Sequence, residues 1–276
     1  MRLLSPALVA CLTLAVPLGP ASAQPAARNV TFMANMNEYA GMGLANQNYS
    51  ACWSYVHTDG SEYAVIGVYS GTAIYNVTNP SAPYRVAFIA GPPSIWREMK
   101  SYQTWIYLVT EGGGAGEGVQ IVRMTNPESP ILVGTYATNF VRSHTVSVDP
   151  ARALLICNGT RNSAGEQTGV RILSLANPEA PAELATWPAG VPPPVPVDLY
   201  VHDSVPVGNR LYASSINSGR QRVLDFTNPS APFEIASWVT PGAYTHNAWP
   251  DATGNYLYVT DEVPGKKLAV YDISNL

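Results

Sequence analysis

A chain of 276 residues, 46% hydrophobic and only 12% charged, carries enough apolar surface for a sizeable core and too little charge to stay disordered. Its net charge of -4, without any basic block, offers a phosphate backbone no electrostatic footing, which excludes nucleic acid as a partner. Of its three cysteines, Cys11 falls in the leader described next, and Cys52 and Cys157 sit in non-neighbouring repeats and read as two separate buried thiols.

In chain order, residues 1–23 have the form of a secretory signal. Arg2 supplies the positive charge, Leu3 to Leu18 the apolar run, and Ala21-Ser22-Ala23 a small-residue cleavage site before Gln24. That run is shorter than the roughly 20 residues a membrane helix needs, and no later stretch approaches that length without Pro, Gly or charge. An exported product without a membrane span is expected: secreted, periplasmic or at the cell surface. Residues 24–47 form an N-terminal segment in which Asn29 to Asn35 could add one outer strand. Residues 48–276 are repetitive.

The repeat is a turn phrase. Thr78-Asn79-Pro80-Ser81-Ala82-Pro83 returns as Thr125-Asn126-Pro127-Glu128-Ser129-Pro130, as Ala176-Asn177-Pro178-Glu179-Ala180-Pro181 and as Thr227-Asn228-Pro229-Ser230-Ala231-Pro232, and a fifth copy starts at Ser274-Asn275. The asparagines are 47, 51, 51 and 47 residues apart, about the length of a four-stranded propeller blade. Each phrase follows a strand-like run such as Ala73 to Val77, Val119 to Met124 or Arg222 to Phe226, and the proline ends that strand. The next strand begins after the second proline, as in Tyr84 to Ile89 or Phe233 to Trp238. Two more strands fill each unit, as His144 to Val148 and Ala153 to Cys157 do in the third, and nothing between them looks helical. These units predict an all-β fold, a β-propeller of about five to six four-stranded antiparallel blades in which each blade covers its neighbour's apolar face. A pair of immunoglobulin-like sandwiches would also give short strands, but not five copies of one turn.

The unit GVQIVRMTNPESPILVGTY resembles the LVIVD-type repeat. The strings EYAVIG, WREMKSY, VHDSV, THNAWPD and TDE, in that order over Asn48 to Leu276, resemble the choice-of-anchor B family of bacterial surface-associated proteins. The resemblance implies a secreted or cell-surface propeller and assigns it no biochemical role. Such proteins carry a further repeat and a C-terminal anchoring signal, whereas this sequence stops at Asp272 to Leu276. A gap or a missing blade beside Leu276 is therefore expected.

Aligned on their turns, the units place His144, His202 and His246 at the start of the innermost strand, with Arg97 in the same slot one blade earlier and Ser54 one before that. One slot in a rotational repeat maps to one radius and one height, so these side chains should gather at one mouth of the central channel. The next position adds Glu98, Thr145, Asp203 and Asn247, and the ends of the second strands add Glu111, Asn158, Asp261 and Glu262. Convergent imidazoles and carboxylates suit a divalent transition metal held by His144, His202, His246 and Asp203. They equally suit acid-base chemistry, with Glu98, Glu262 and Arg97 as candidate catalytic groups. Duplication could also carry a structural histidine from blade to blade, and Asp203 and Asn247 could be inter-blade hydrogen-bonding groups.

Other features read as structure. The Gly-rich run Glu111 to Gly118 lacks a following helix and a lysine, so it is a loop and not a phosphate cradle. The six tryptophans sit mostly at strand positions, and His57 adjoins a turn on the opposite face. Three functions stay open: a surface binding module for an extracellular protein, a glycan or a small ligand; a metal-dependent hydrolase or oxidoreductase; and a purely structural repeat.

Overall fold

The computed structural model describes residues 29–276. The expected signal, residues 1–23, and the start of the N-terminal segment lie outside them. Four sheets of four antiparallel strands and one of three follow each other along the chain, and in each the strands pair in chain order. The first blade comprises β1 (Tyr49–Val56), β2 (Glu62–Val68), β3 (Gly71–Asn76) and β4 (Tyr84–Ala90); the second, β5 (Arg97–Tyr102), β6 (Trp105–Thr110), β7 (Val119–Arg123) and β8 (Ile131–Tyr136). The third has β9 (Thr145–Asp149), β10 (Leu154–Arg161), β11 (Gln167–Ser174) and β12 (Ala182–Trp187); the fourth, β13 (Asp203–Val207), β14 (Arg210–Ser215), β15 (Arg220–Asp225) and β16 (Phe233–Val239). The fifth has β17 (Thr245–Pro250), β18 (Tyr256–Asp261) and β19 (Ala269–Asp272). This is a β-propeller, as the repeat requires.

The repeated phrase makes the turn between third and fourth strands. In every complete blade the asparagine carbonyl accepts the amide three residues on, at 3.0–3.1 Å, from Ala82, Ser129, Ala180 and Ala231. Its side-chain oxygen accepts the amide two residues on, as Asn79 Oδ1 does from Ser81 at 3.2 Å and Asn228 Oδ1 from Ser230 at 3.1 Å. Proline at the second position presets φ for such a turn. Four to five residues before each turn asparagine, the register between third and fourth strands breaks at Ile74/Tyr75, Ile121/Val122, Ile172/Leu173 and Val223/Leu224. A bulge at one place per blade adds the twist that radial packing needs.

The core lies between blades. Tyr63, Val65 and Ile74 of the first meet Met99, Ile106 and Leu108 of the second. Tyr107 and Ile121 of the second meet Leu155, Cys157 and Leu173 of the third. Ile156 and Ile172 of the third meet Leu211 and Phe226. Val205 and Tyr212 of the fourth meet Leu257 and Val259 of the fifth. The innermost strands are neighbours in series, β1 to β5, β5 to β9, β9 to β13 and β13 to β17, and among the described residues β17 makes no contact of that kind with β1.

Several expectations are corrected. Residues Asn29 to Asn35 add no strand; within the compact unit of residues 34–276, the stretch before β1 is turns, and it packs Tyr39 onto Val68, Ala73 and Tyr75. Cys157 is fully buried but Cys52 is exposed, and both are free thiols. Among the described residues no helix is long and apolar enough to cross a membrane.

Candidate functional site at the channel mouth

Each innermost strand starts, and each second strand ends, at the same end of the disc, opposite the Asn-Pro turns. A cavity of about 650 Å³ opens there, and the histidines line it. Their positions are close but not equivalent. His144 and His202 precede β9 and β13 by one residue, while His246 is the second residue of β17, inside a register break between Thr245 and Asn247. The three imidazoles follow one another in series, tilted by 56° and 41°, with ring centroids 4.3 Å apart from His144 to His202 and again from His202 to His246. Nε2 of His144 lies 2.7 Å from Nε2 of His202.

The other ring nitrogens determine the tautomers. Nδ1 of His144 is 2.7 Å from the Glu111 carboxylate, and Nδ1 of His202 is 3.0 Å from the backbone carbonyl of His246. Both partners accept, so each Nδ1–H donates and each Nε2 is turned toward the other. Two Nε2 atoms at this distance hold a cation between them, either a proton shared by the two rings or a metal ion. A ligating histidine whose second nitrogen is tied to a carboxylate or a carbonyl is the usual outer-shell arrangement of a metal site.

The surrounding groups are tuned accordingly. Burial, then the proximity of His144 and His246, pushes His202 down to about 3, so it is neutral at physiological pH. Burial also lowers His246, with Glu262 opposing. For Glu111, burial acts to raise the carboxyl, but the His144 hydrogen bond together with Arg161 and Arg142 outweighs it and holds the group below its ordinary value. His202, His246 and Glu262 offer ligand atoms all within 4.8 Å of one another, and Glu262 Oε2 is 4.0 Å from Nε2 of His246.

The remaining candidates, Arg97, Glu98 and Asp203, border the same cavity with their side chains engaged in other contacts. Arg97, 2% exposed, is turned into the interface between the first two blades, where its guanidinium donates to the carbonyls of Val68 and Pro92. Glu98 is engaged at both oxygens, by Lys100 and by the Val146 amide at 2.9 Å. Asp203 accepts the Ser204 amide and sits at the boundary between the mouth and a second cavity deeper in the channel. Burial, followed by the charge of Glu98, raises it to about 6. Neither Asp203 nor His144 is part of the cluster formed by His202, His246 and Glu262. Ser54 pairs with Ala64 within the blade, and Ser50, four residues earlier, lines the mouth instead. Trp96, Arg161, Tyr200 and Tyr244 also line it. Trp96 and Tyr244 stand one residue before β5 and β17, the place that His144 and His202 hold before β9 and β13, while Tyr200 ends the Pro-rich loop and Arg161 ends β10. Aligning the units on Arg97 and His246, one and two residues later, hid the first two.

Comparison with known proteins defines the class. Residues 251–276 match the model of the LVIVD repeat, so the propeller carries a repeat of this type at the end of the sequence. No curated protein matches the chain. Among solved structures, the periplasmic gluconolactonase PpgL of Pseudomonas aeruginosa is similar with a TM-score of 0.57 and 13% identity, over 83% of this chain and 69% of that one. A candidate 6-phosphogluconolactonase of Bacteroides fragilis gives 0.59 and 12%, over 83% and 68%. The dihydro-heme d1 dehydrogenase NirN gives 0.55 and 16%, over 83% of this chain but 45% of that one. At such identities the likeness is one of fold.

Proposed function

We propose that the chain is an exported binding propeller of the choice-of-anchor B type whose channel mouth holds a divalent transition metal, with zinc the best match, and presents it to a small ligand. His202, His246 and Glu262, whose ligand atoms lie within 4.8 Å of one another, are the core of the set, and His144, which stands outside that group, joins it through Nε2. The observation that carries this reading is the pair of Nε2 atoms facing each other at 2.7 Å beside that group, each ring fixed in place by an acceptor on its own Nδ1. A tetrahedral ion with bonds of about 2.0–2.1 Å sets its nitrogens about 3.4 Å apart, so on loading the His144 and His202 nitrogens would part by less than about 1 Å and His144 would close on His246 and Glu262. Asp203 stands outside this ligand set, as a buried carboxyl beneath it. Glu98 is tied on both oxygens, and this favours a binding role over general-base catalysis.

The test is metal content. The purified wild type, dialysed against zinc, should retain about one equivalent, and His202→Ala should retain less than about a tenth of that while keeping its β-sheet circular dichroism. A wild type that retains none overturns the metal reading. The same test separates it from a structural ring, in which His202→Ala would change stability without changing metal content.

A further inference from the structure

The mouth holds features that metal ligation leaves unused. Trp96 is 51% exposed, yet its backbone is pinned: Ser94 Oγ accepts its amide at 3.0 Å, and its carbonyl accepts the hydroxyls of Ser94 and Thr110 at 2.8 and 2.9 Å. Its indole ring lies 6.3 Å from the His144 ring, beside the proposed ion. Across the cavity Tyr244, 40% exposed, adjoins Glu262 through the bond from the Glu262 amide to its carbonyl. An aromatic side chain on a rigid backbone, half in water at a polar mouth, is a stacking platform available at little entropic cost.

The second feature is charge. Arg97 is buried with no carboxylate within salt-bridging distance among the described residues, and one of its terminal nitrogens has no partner. A buried, uncompensated guanidinium is costly on its own, and its field extends into the cavity it lines. Arg161 lines the same cavity with only the Gly165 carbonyl as acceptor. The third is hydrogen-bonding capacity. Asn217 and Asn247 face the cavity, and Asn247 Oδ1 accepts the Thr260 hydroxyl, which leaves its amide hydrogens for a ligand.

We infer that the ligand of the mouth is a carboxylated sugar, bound with its carboxylate toward the metal and the arginines, its ring on Trp96 and its hydroxyls on the asparagine amides. This rests on the metal reading above. A sugar acid has what each wall offers: an apolar C–H face for the indole, hydroxyls for the amides, and an anionic oxygen for the ion and the two cations. A planar aromatic acid would use the platform and the charge but leave the amides unpaired, which is penalised when polar groups are desolvated.

The experiment is titration calorimetry of the zinc-loaded full chain with glucuronate, glucose, acetate and benzoate. Glucuronate should bind at least about tenfold more tightly than each of the others. Trp96→Ala should weaken glucuronate by about tenfold at unchanged zinc content. Phe233→Ala, at the start of the outermost strand of the fourth blade beside its Asn-Pro turn, should leave both unchanged. A chain that holds zinc but binds glucuronate no better than acetate, or prefers benzoate, or is indifferent to Trp96→Ala, overturns the ligand assignment and leaves the metal reading standing. A chain that takes up no zinc overturns both.

Discussion

The first and fifth blades end the series of sheets in opposite ways. The outward face of the first, Val68, Ala73 and Tyr75, is covered by Tyr39, which stacks on Phe88 at 5.6 Å and accepts a hydrogen bond from Arg85 at 2.8 Å. Glu38 adds an ion pair to Arg85 and accepts the Tyr75 hydroxyl. The outward face of the fifth carries Trp249, Tyr258 and Val270 in one cross-strand row, 65%, 39% and 53% exposed, with Leu268 beside them. A blade face can thus be closed without a strand, by one well-placed aromatic on a segment of turns. Among the described residues no such segment lies on the fifth blade, and there the same kind of amphipathic sheet presents an apolar row.

The largest expected effect sharpens this contrast directly. Tyr39→Ala should destabilise the protein by about 3 kcal/mol in urea denaturation, because it opens a cavity over the first blade and strands the Arg85 donor. A change below about 1 kcal/mol would show that the turns before β1 are not a cap. Tyr39→Phe, which keeps the ring and loses only the half-exposed hydrogen bond, should cost about 1 kcal/mol or less.

An intermediate effect comes from between the two ends. The Asp203 carboxyl is raised to about 6 in the folded protein against an ordinary value of 3.8, so the native state binds more protons than the unfolded one between those pH values. Its ionisation therefore costs stability as pH rises through that window. Asp203→Asn should be more stable than wild type by about 1–2 kcal/mol at pH 7.5 and equal to it near pH 3.5, measured by thermal or urea melts at both. An equal offset at both pH values would mean that the variant acts through hydrogen bonding and not through charge.

The smallest effect is at the uncovered end. Trp249→Ala and Tyr258→Ser should each change stability by less than about 0.5 kcal/mol, since neither ring is buried by a neighbour. They should lower the binding of an apolar dye and slow self-association on concentration. A loss of several kcal/mol would break the comparison, because it would require that face to be covered in solution.

How much of this was legible follows from what repeats. Asn79, Asn126, Asn177 and Asn228 build their turn from their own side chain and a following proline, so blade length and strand order could be read directly. The convergence of His144, His202 and His246 was legible for the related reason that equivalent places in a rotational array approach one axis. Arg97 went elsewhere because the histidines stand one residue before their strands or inside a register break, while Arg97 is the first paired residue of β5, opposite Thr110. An offset of one residue turns a side chain to the other face. Trp96 and Tyr244 hold the place of His144 and His202, one residue before an innermost strand, and are hidden when the units are aligned on Arg97 and His246, whereas Tyr39 lies in a segment that does not recur, where neither period nor spacing distinguishes a cap from a loop.

The Asn-Pro turns have a kinetic consequence as well. Because every ladder joins strands consecutive in the chain, no pairing waits on closure of a distant loop, and contact order is low for an all-β protein. Each blade can zip from its own turn, and blades then dock in series, as in other quasi-one-dimensional repeats. Opening should run the other way, fraying first from the three-stranded fifth blade, so that amide exchange is fastest in β19 and slowest in β6 and β10.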